Sequence, residues 1–329
     1  FRVLSKMEIL IKDSNFFTFL LKLGCAIYKL FAASVNDPVF STSTAHLKSK
    51  VFILPPLFAI YFFIYYYFIM NIVKSKSFKN GTVYCLRLED GMLVETTDTF
   101  LPYYTKDAIG RKQNFLDNDN LGSRSERWMI GVSTMSGCPV RCKFCATGNM
   151  KRYRNLTADE IVGQVEFAIE QAGFDPCDAN EFKINYTRMG EPFLNIEAVK
   201  EAIGRISEIY PNTHHYVSTI GIKGSDFSFV KGNVTLQISL HSFDEEKRNW
   251  LIPYPKKMSI EELGRIRTES NLKTTINLTL VNESDFDTEK LEKYFDKEYF
   301  FVKLSPINPN NISEKNNLGN GIIEGVNLV

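Results

Sequence analysis

The stretch WMIGVSTMSGCPVRCKFC, residues 128–145, decides how the rest of the chain is interpreted. Its first seven residues predict a β-strand, and a short Met-Ser-Gly turn leads from that strand into a cysteine-rich loop. Cys138, Cys142 and Cys145 are spaced as CxxxCxxC, so three thiolates can bind three irons of a 4Fe-4S cluster. The fourth iron then has no protein ligand, and it can chelate a small molecule.

Other interpretations of the cysteines fit less well. The chain has six cysteines, and the remaining three are scattered at Cys25, Cys85 and Cys177, which is a poor match to a disulfide framework. A structural zinc site needs a fourth ligand at close spacing, and the nearest histidine, His214, is distant in the sequence. Ferredoxin-type clusters use a fourth cysteine. The loop therefore predicts a cluster with one open iron.

Downstream of this loop, predicted strands and helices alternate. The strands cover residues 128–134, 181–188, 215–220, 234–240, 273–281 and 300–305, and the helices cover 157–172, 196–210, 259–269 and 288–295. Thr157 and Ser259 each open a capping box with a glutamate three residues later. This alternation predicts an α/β fold with a parallel sheet, interpreted as a partial (β/α)6 barrel over residues 126–310. Ligands of such folds bind at the carboxyl ends of the strands.

The region before the barrel is predicted to be small and partly β. Residues 81–100 alternate in polarity around Asp90-Gly91, which is a hairpin turn signal, and residues 105–126 are polar and predict a loop. The chain is therefore divided into a hydrophobic N-terminal stretch over 1–69, an accessory β segment with a polar loop over 70–125, the barrel over 126–310 and a short, unfinished tail over 311–329.

The N-terminal stretch supports two interpretations. Residues 51–73 contain no charged residue and are about as long as a membrane-spanning helix. Lysines lie at both ends, so the positive-inside rule gives no orientation, and Pro55 and Pro56 would break an early helical turn. One interpretation is a membrane anchor, and the protein is then attached to a membrane. The other is an over-extended reading frame whose true start lies near Met70, and the protein is then cytoplasmic.

Composition and net charge exclude few functional classes. Of the 329 residues, 44% are hydrophobic and 23% are charged, which is ordinary for a folded protein that buries a large core. The net charge of +1 neither requires nor excludes a nucleic-acid partner. Basic residues near the cysteine loop fit either an RNA-binding rim or a solvated loop face: Arg141, Lys143, Lys151, Arg152 and Arg154.

Six sequence blocks follow one another in the order of a known family. They are GCPVRCKFCATG (137–148), RNLTADEIVGQV (154–165), MGEPFLN (189–195), STIG (218–221), ISLHSFDEEKRNWLIP (238–253) and LSPINP (304–309). From about residue 81 to 310 the chain resembles the radical S-adenosylmethionine (SAM) RNA adenine-C2 methyltransferases, which methylate adenosines in ribosomal and transfer RNA. The resemblance implies a 4Fe-4S cluster and SAM as cofactors, RNA as a partner, and an electron donor such as flavodoxin or ferredoxin. It also implies one-electron reduction of SAM to methionine and a 5′-deoxyadenosyl radical.

The resemblance also implies roles for individual residues. Glu191 is expected to receive the amino group of SAM, and Phe144 to lie near its adenine. Glu95, in a Val-Glu-Thr element, corresponds to a general base of the family. The full set of expected SAM contacts lies at the ends of successive strands and comprises Gly190, Glu191, Ser218, Ser239, Leu240, His241 and Asn308. Each of the polar members also has an alternative as a cap, turn or hydrogen-bonded loop residue.

Two departures from the family pattern concern thiols. Family members move the methyl group through two further cysteines, one seven residues before the first cluster cysteine and one near the C-terminus. Here the first position is Gly131, and no cysteine follows Cys177. A thiolate is needed to release the enzyme from a thioether-linked RNA adduct, so methyl transfer by the family route is expected to stall.

Three functional hypotheses follow. The first is a radical SAM enzyme that cleaves SAM reductively and acts on an unknown substrate, with RNA as a candidate. The second is an RNA adenine-C2 methyltransferase represented by an incomplete chain. The third is an Fe-S protein that binds RNA or regulates without catalysis.

Overall fold

The computed structural model describes residues 70–102, 121–279, 286–305, 307 and 309–319, and it describes the backbone of 105–106 and 112–113. The expected SAM contact Asn308 and almost all of the hydrophobic stretch 51–73 lie outside these residues. Within the described ranges, no helix is long and apolar enough to cross a membrane.

One nine-stranded sheet organises the described residues, and its strands lie side by side in chain order. The strands are β1 (Asn71–Phe78), β2 (Gly81–Arg87), β3 (Leu93–Leu101), β4 (Arg127–Val132), β5 (Glu181–Tyr186), β6 (His214–Thr219), β7 (Val234–Ser239), β8 (Thr274–Thr279) and β9 (Phe300–Ser305). Strands β1 to β4 pair antiparallel, and β4 to β9 pair parallel. The six parallel strands correspond to the six that the sequence predicts.

Helices connect most of the parallel strands. They are α1 (Ala158–Ala172), α2 (Ile196–Ile209), α3 (Glu245–Leu251), α4 (Ile260–Gly264), α5 (Thr288–Tyr294) and α6 (Asn311–Lys315). Thr157 and Ser259 form the predicted capping boxes at the starts of α1 and α4. The α/β fold class is confirmed, and the open parallel sheet with helices between its strands has the architecture of a partial (β/α)6 barrel.

The two faces of the sheet differ in chemistry because side chains alternate along each strand. Trp128, Ile130 and Val132 of β4 are fully buried on the face that α1 covers. The opposite face carries small and polar residues, which the register brings into one row: Thr97, Gly131, Asn185, Tyr216 and Thr235. The apolar face forms the core, and the polar face carries the side chains that can contact a ligand.

Four sequence predictions differ from the structure. The helix predicted for 259–269 ends at Gly264, because residues 269–270 pair instead with 231–232. Residues 71–73, the end of the hydrophobic run, belong to the exposed edge strand β1. Two short strands, 105–106 and 112–113, pair within the predicted polar loop. Residues 311–315 of the predicted tail form α6.

Candidate active site

The cysteine loop leaves the end of β4 and is anchored from three directions. Met135 and Ser136 pair antiparallel with residues 154–155, and the backbone N–H of Lys143 donates to the carbonyl of Leu251 at the end of α3 over 2.9 Å. Two asparagines of the C-terminal segment complete the anchoring. Asn310 donates to the carbonyl of Phe144 over 3.0 Å, and Asn316 donates to the carbonyl of Lys143 over 2.8 Å.

The three loop thiols lie near one another and none forms a disulfide. Burial, together with the neighbouring Glu191 and Cys145, raises the pKa of the Cys138 thiol to about 12. The pKa of Cys142 is raised well above its usual value by burial and by the other two thiols. In the described part of the chain, no three Cys, His, Asp or Glu side chains are arranged to hold a single metal ion. Three thiols at this spacing suit a 4Fe-4S cluster, in which each thiolate would bind a different iron.

Glu191 lies next to this loop at the end of β5. The backbone N–H groups of Thr134 and Met135 both donate to the carbonyl of Met189, over 2.8 and 3.1 Å, which ties the Met-Gly-Glu-Pro segment to the loop. Gly190 has a φ of 103°, and a Cβ there would lie 2.6 Å from the Met135 side chain. The glycine therefore permits the close approach that places Glu191 beside the thiols.

The Glu191 carboxylate is buried, with 4% of the residue exposed. Its two oxygens accept hydrogen bonds from the backbone N–H groups of Phe193 and Ile220, over 3.1 and 3.0 Å. Burial raises its pKa to about 7, although these bonds and one from Thr219 lower it. Among the described residues it has no cationic partner. A buried carboxylate with an uncompensated charge fits an ammonium group.

His241 also faces the cysteine loop, from the end of β7. Its φ is 60°, and its backbone N–H and that of the buried Leu240 both donate to the carbonyl of Asn277, over 3.2 and 3.1 Å. The imidazole contacts the Phe144 ring edge-on, with centroids 4.8 Å apart. Burial lowers the pKa of His241 to about 3, so the ring is neutral, and its Nδ1 is buried without a hydrogen-bond partner among the described residues. A ligand atom would satisfy that nitrogen.

The two serines lie on adjacent strands near the same ends. Ser218 of β6 donates to the side-chain oxygen of Gln237 over 3.1 Å, and Ser239 is the last residue of β7, in register with Asn277 of β8. Both serines are half-buried. The structure therefore places Glu191 and His241 beside the cysteine loop that contains Cys138. Ser218 and Ser239 lie at the neighbouring strand ends.

Glu95 lies on β3, on the accessory side of the sheet, and its partner is a residue that the sequence did not single out. Arg188, just after β5, forms an ion pair with the Glu95 carboxylate. The backbone of Glu95 also exchanges two hydrogen bonds with Ser133 Oγ, over 3.2 and 2.6 Å. Glu95 is therefore held beside the start of the cysteine loop as one half of an ion pair.

Gly131 of β4 lies close to Arg188 and to Thr97, its register partner on β3. A Cβ at Gly131 would overlap Thr97 Oγ1 and would lie 3.0 Å from Cδ of Arg188. The space that a side chain at this position would use is already filled. Arg188 therefore occupies the neighbourhood in which the family pattern has a thiol.

Arg248 is a further residue without a sequence-based role. It is fully buried, and it donates to the carbonyls of Ile220 and Met258 over 2.8 and 2.7 Å. Ile220 in turn donates its N–H to Glu191, so Arg248 supports the residue that orients the carboxylate. Burial lowers the pKa of Arg248 to about 10, and the neighbouring Cys142 partly opposes this shift.

The basic residues near the loop differ in exposure and pairing, and Lys143 is half-buried. Arg154 forms ion pairs with Asp90 and Glu160, over 2.6 and 2.7 Å, so it fastens the hairpin to α1. Arg141, Lys151 and Arg152 are exposed. Exposed cations on the rim of the loop are available to a negatively charged partner.

Comparisons with known proteins identify the family to which the chain is similar. Residues 132–295 match the family model described as the radical SAM superfamily. The cysteine loop follows β4 and the glutamate segment follows β5, and both lie within the matched residues. Residues 132–295 therefore form a radical SAM domain, and that superfamily implies SAM and a 4Fe-4S cluster as cofactors.

Within that superfamily the chain is homologous to RlmN-type radical SAM RNA methyltransferases. It is 31% identical over 253 residues to a "Probable dual-specificity RNA methyltransferase RlmN" of Chlorobium phaeobacteroides (strain BS1), covering 73% of this chain and 66% of the relative. A protein of the same description from Pseudothermotoga lettingae is 36% identical over 192 residues, covering 54% of each. The chain thus spans 54–66% of the length of these relatives.

A solved structure supports the fold alone. The chain is similar to a radical SAM methyltransferase from Sphaerobacter thermophilus with a TM-score of 0.57 and 23% identity. The similarity covers 83% of this chain and 82% of the other.

Proposed function

We propose that this chain is a radical SAM enzyme that cleaves SAM reductively and acts on RNA. Cys138, Cys142 and Cys145 would hold the 4Fe-4S cluster. SAM would lie against the strand ends and contact Gly190, Glu191, Ser218, Ser239, Leu240, His241 and Asn308. The observation that carries the proposal is Glu191, a buried carboxylate without a cationic partner in the described residues, beside three unpaired thiols.

The residues around the loop suit this chemistry. When bound, the cluster supplies the electron that splits SAM into methionine and a 5′-deoxyadenosyl radical. Glu191 would bind and orient the SAM ammonium, because its oxygens are fixed by the N–H groups of Phe193 and Ile220. His241 would offer its unpartnered Nδ1 to a ligand, and Phe144 would provide an aromatic surface beside it. Burial of Glu191 and His241 would exclude water from a reactive radical.

RNA is supported as the substrate by two observations. The curated relatives are described as RNA methyltransferases. Arg141, Lys151 and Arg152 are exposed beside the loop, where phosphates could be bound. The reaction on RNA need not be methyl transfer by the thiol route, because Gly131 stands at the position of one family cysteine.

A second candidate is an RNA adenine-C2 methyltransferase of which this chain is a part. The chain spans only 54–66% of the relatives it matches, and this observation favours the second candidate. The two candidates share the cluster, SAM and RNA, and they differ in the product. Mass spectrometry of RNA after incubation with the full-length protein separates them, since only the second candidate predicts methyladenosine.

The test of the proposal uses anaerobically purified protein with a reconstituted cluster, SAM and a reductant. We expect iron-sulfur absorbance and 5′-deoxyadenosine from the wild type. Cys142→Ala should lose both, whereas Cys177→Ala, which changes an exposed cysteine far from the loop in sequence, should keep both. Glu191→Gln should keep the absorbance and lose most of the deoxyadenosine. A wild-type protein that holds its cluster and binds SAM but forms no deoxyadenosine would contradict the proposal and leave a non-catalytic Fe-S protein.

A further inference from the structure

Arg188 is a cation at the open, polar face of the sheet, and the reaction proposed above gives it no role. Its backbone N–H donates to the carbonyl of Val132 over 3.1 Å, which fixes the residue where β4 and β5 end together. Its side chain extends past the Cα of Gly131 towards Glu95 on β3. Its position is therefore set from both sides, beside the start of the cysteine loop.

The guanidinium has more donor capacity than the protein uses. One recorded hydrogen bond goes from Nη2 to Glu95, whereas a guanidinium carries five N–H donors. Nε is buried and has no hydrogen-bond partner among the described residues. A buried donor without a partner costs free energy, and a second acceptor would recover it.

Arg188 is also partly desolvated. It forms an ion pair with Glu95, and burial lowers the pKa of its guanidinium. About a third of the side chain, 34%, is still exposed, so a ligand can reach it. A planar guanidinium that is fixed on one side by a carboxylate can bind an oxyanion on its other side.

We propose that Arg188 binds a phosphate oxygen of the substrate and thereby positions RNA over the cysteine loop. This inference rests on the proposed function, because it takes RNA as the substrate. Gly131 contributes to this arrangement, since a Cβ at that position would lie 3.0 Å from Arg188 Cδ and the arginine side chain would have to shift. Glu95 holds the guanidinium in place as its fixed counterion.

The test measures binding without turnover, on the reconstituted holoprotein in the absence of reductant. The probes are a fluorescent adenosine-containing hairpin RNA, adenosine 5′-monophosphate and adenosine. For Arg188→Ala we expect hairpin affinity to fall about tenfold or more, as for loss of a charge-assisted hydrogen bond, and the slope of log affinity against log salt to fall by about one. Adenosine binding should not change. A loss for the monophosphate as well would show that a nucleotide's own phosphate suffices, and a loss for the hairpin alone would assign an internucleotide phosphate.

Two further variants keep the test decisive. Arg188→Lys retains the charge without the planar fork, so it should bind the hairpin more weakly than wild type with an unchanged salt slope. Arg265→Ala removes an exposed arginine that is paired with Glu261 on α4, and it should behave as wild type. Hairpin affinity within twofold of wild type for both Arg188 variants would overturn the inference. So would a loss of SAM binding with RNA binding intact, because the arginine would then serve the cofactor. Failure of the proposed function would appear separately, as no deoxyadenosine from the wild type.

Discussion

Gly131 affects both the packing around β4 and the chemistry available beside the cysteine loop. In the sequence, Gly131 stands where the family pattern has a cysteine. In the structure, the side chains of Thr97 and Arg188 approach the backbone of β4 at this glycine. The absence of a side chain at Gly131 therefore leaves the space that the Arg188 side chain uses. A thiol restored at this position alone would meet two side chains that already fill the space.

The first prediction concerns that space. Gly131→Ala should lower the free energy of unfolding by about 1–3 kcal/mol, the usual cost of adding a group to a filled region. Thr97→Ala removes the atom that the new Cβ would overlap, so the double variant should recover much of the loss. Chemical denaturation of the two single variants and the double variant checks this. Additive losses in the double variant would contradict the packing described here.

At the scale of elements, a buried histidine joins β5, β6 and α2. His215 of β6 is hydrogen-bonded through Nδ1 to the Tyr186 hydroxyl over 3.1 Å and through Nε2 to the Ser207 hydroxyl over 3.0 Å. Burial lowers its pKa to about 3, with a smaller contribution from His214. The folded protein therefore keeps this imidazole neutral, whereas the unfolded chain binds a proton near pH 6.5.

The second prediction follows from that difference. Because the folded-state pKa lies below the unfolded value, the stability from this residue is present above about pH 6.5 and is lost as the pH falls towards 3. Between pH 7.5 and 5.5 the loss is about 1.4 kcal/mol. Wild type should lose that much more stability than His215→Gln over the same interval, as measured by urea unfolding. Equal pH slopes would show that folding does not lower the pKa of His215.

The third prediction concerns the support of Glu191 from α3. Arg248→Met leaves the carbonyls of Ile220 and Met258 without their donors, so it should cost about 2–4 kcal/mol of stability. It should also weaken SAM binding, because Ile220 orients the Glu191 carboxylate. Isothermal titration with SAM on the reconstituted protein measures the second effect. Unchanged SAM affinity in a folded variant would separate Arg248 from the site.

Local sequence signals predicted the elements well, and long-range contacts were outside their reach. The capping boxes at Thr157 and Ser259 and the cysteine loop are each contained in a few residues. Arg188 and Glu95 form an ion pair although they are 93 positions apart in the sequence, and no local pattern beside either residue predicts the pair. The edge strand β1 was missed because its sequence, NIVKSKSF, begins inside a longer apolar run. The left-handed backbone of His241 depends on Asn277 of the next strand, which local pattern does not show.

At the scale of the whole molecule, the sheet explains why the candidate residues meet. Parallel strands β4 to β7 end at one edge, so the loop after β4, Glu191 after β5, Ser218 near the end of β6 and His241 after β7 share it. The antiparallel strand β3 adds Glu95 from the other side. The C-terminal residues Asn310 and Asn316 then hold the loop against this edge.

The central claim is that the three thiols and Glu191 form one site with an open iron for SAM. Electron paramagnetic resonance of the anaerobically reduced, reconstituted protein tests it most directly, with and without SAM. We expect a cluster signal whose g values change when SAM is added to the wild type and to Cys177→Ala. Glu191→Gln should require at least tenfold more SAM for the same change. A cluster signal that SAM leaves unchanged in the wild type would contradict the claim.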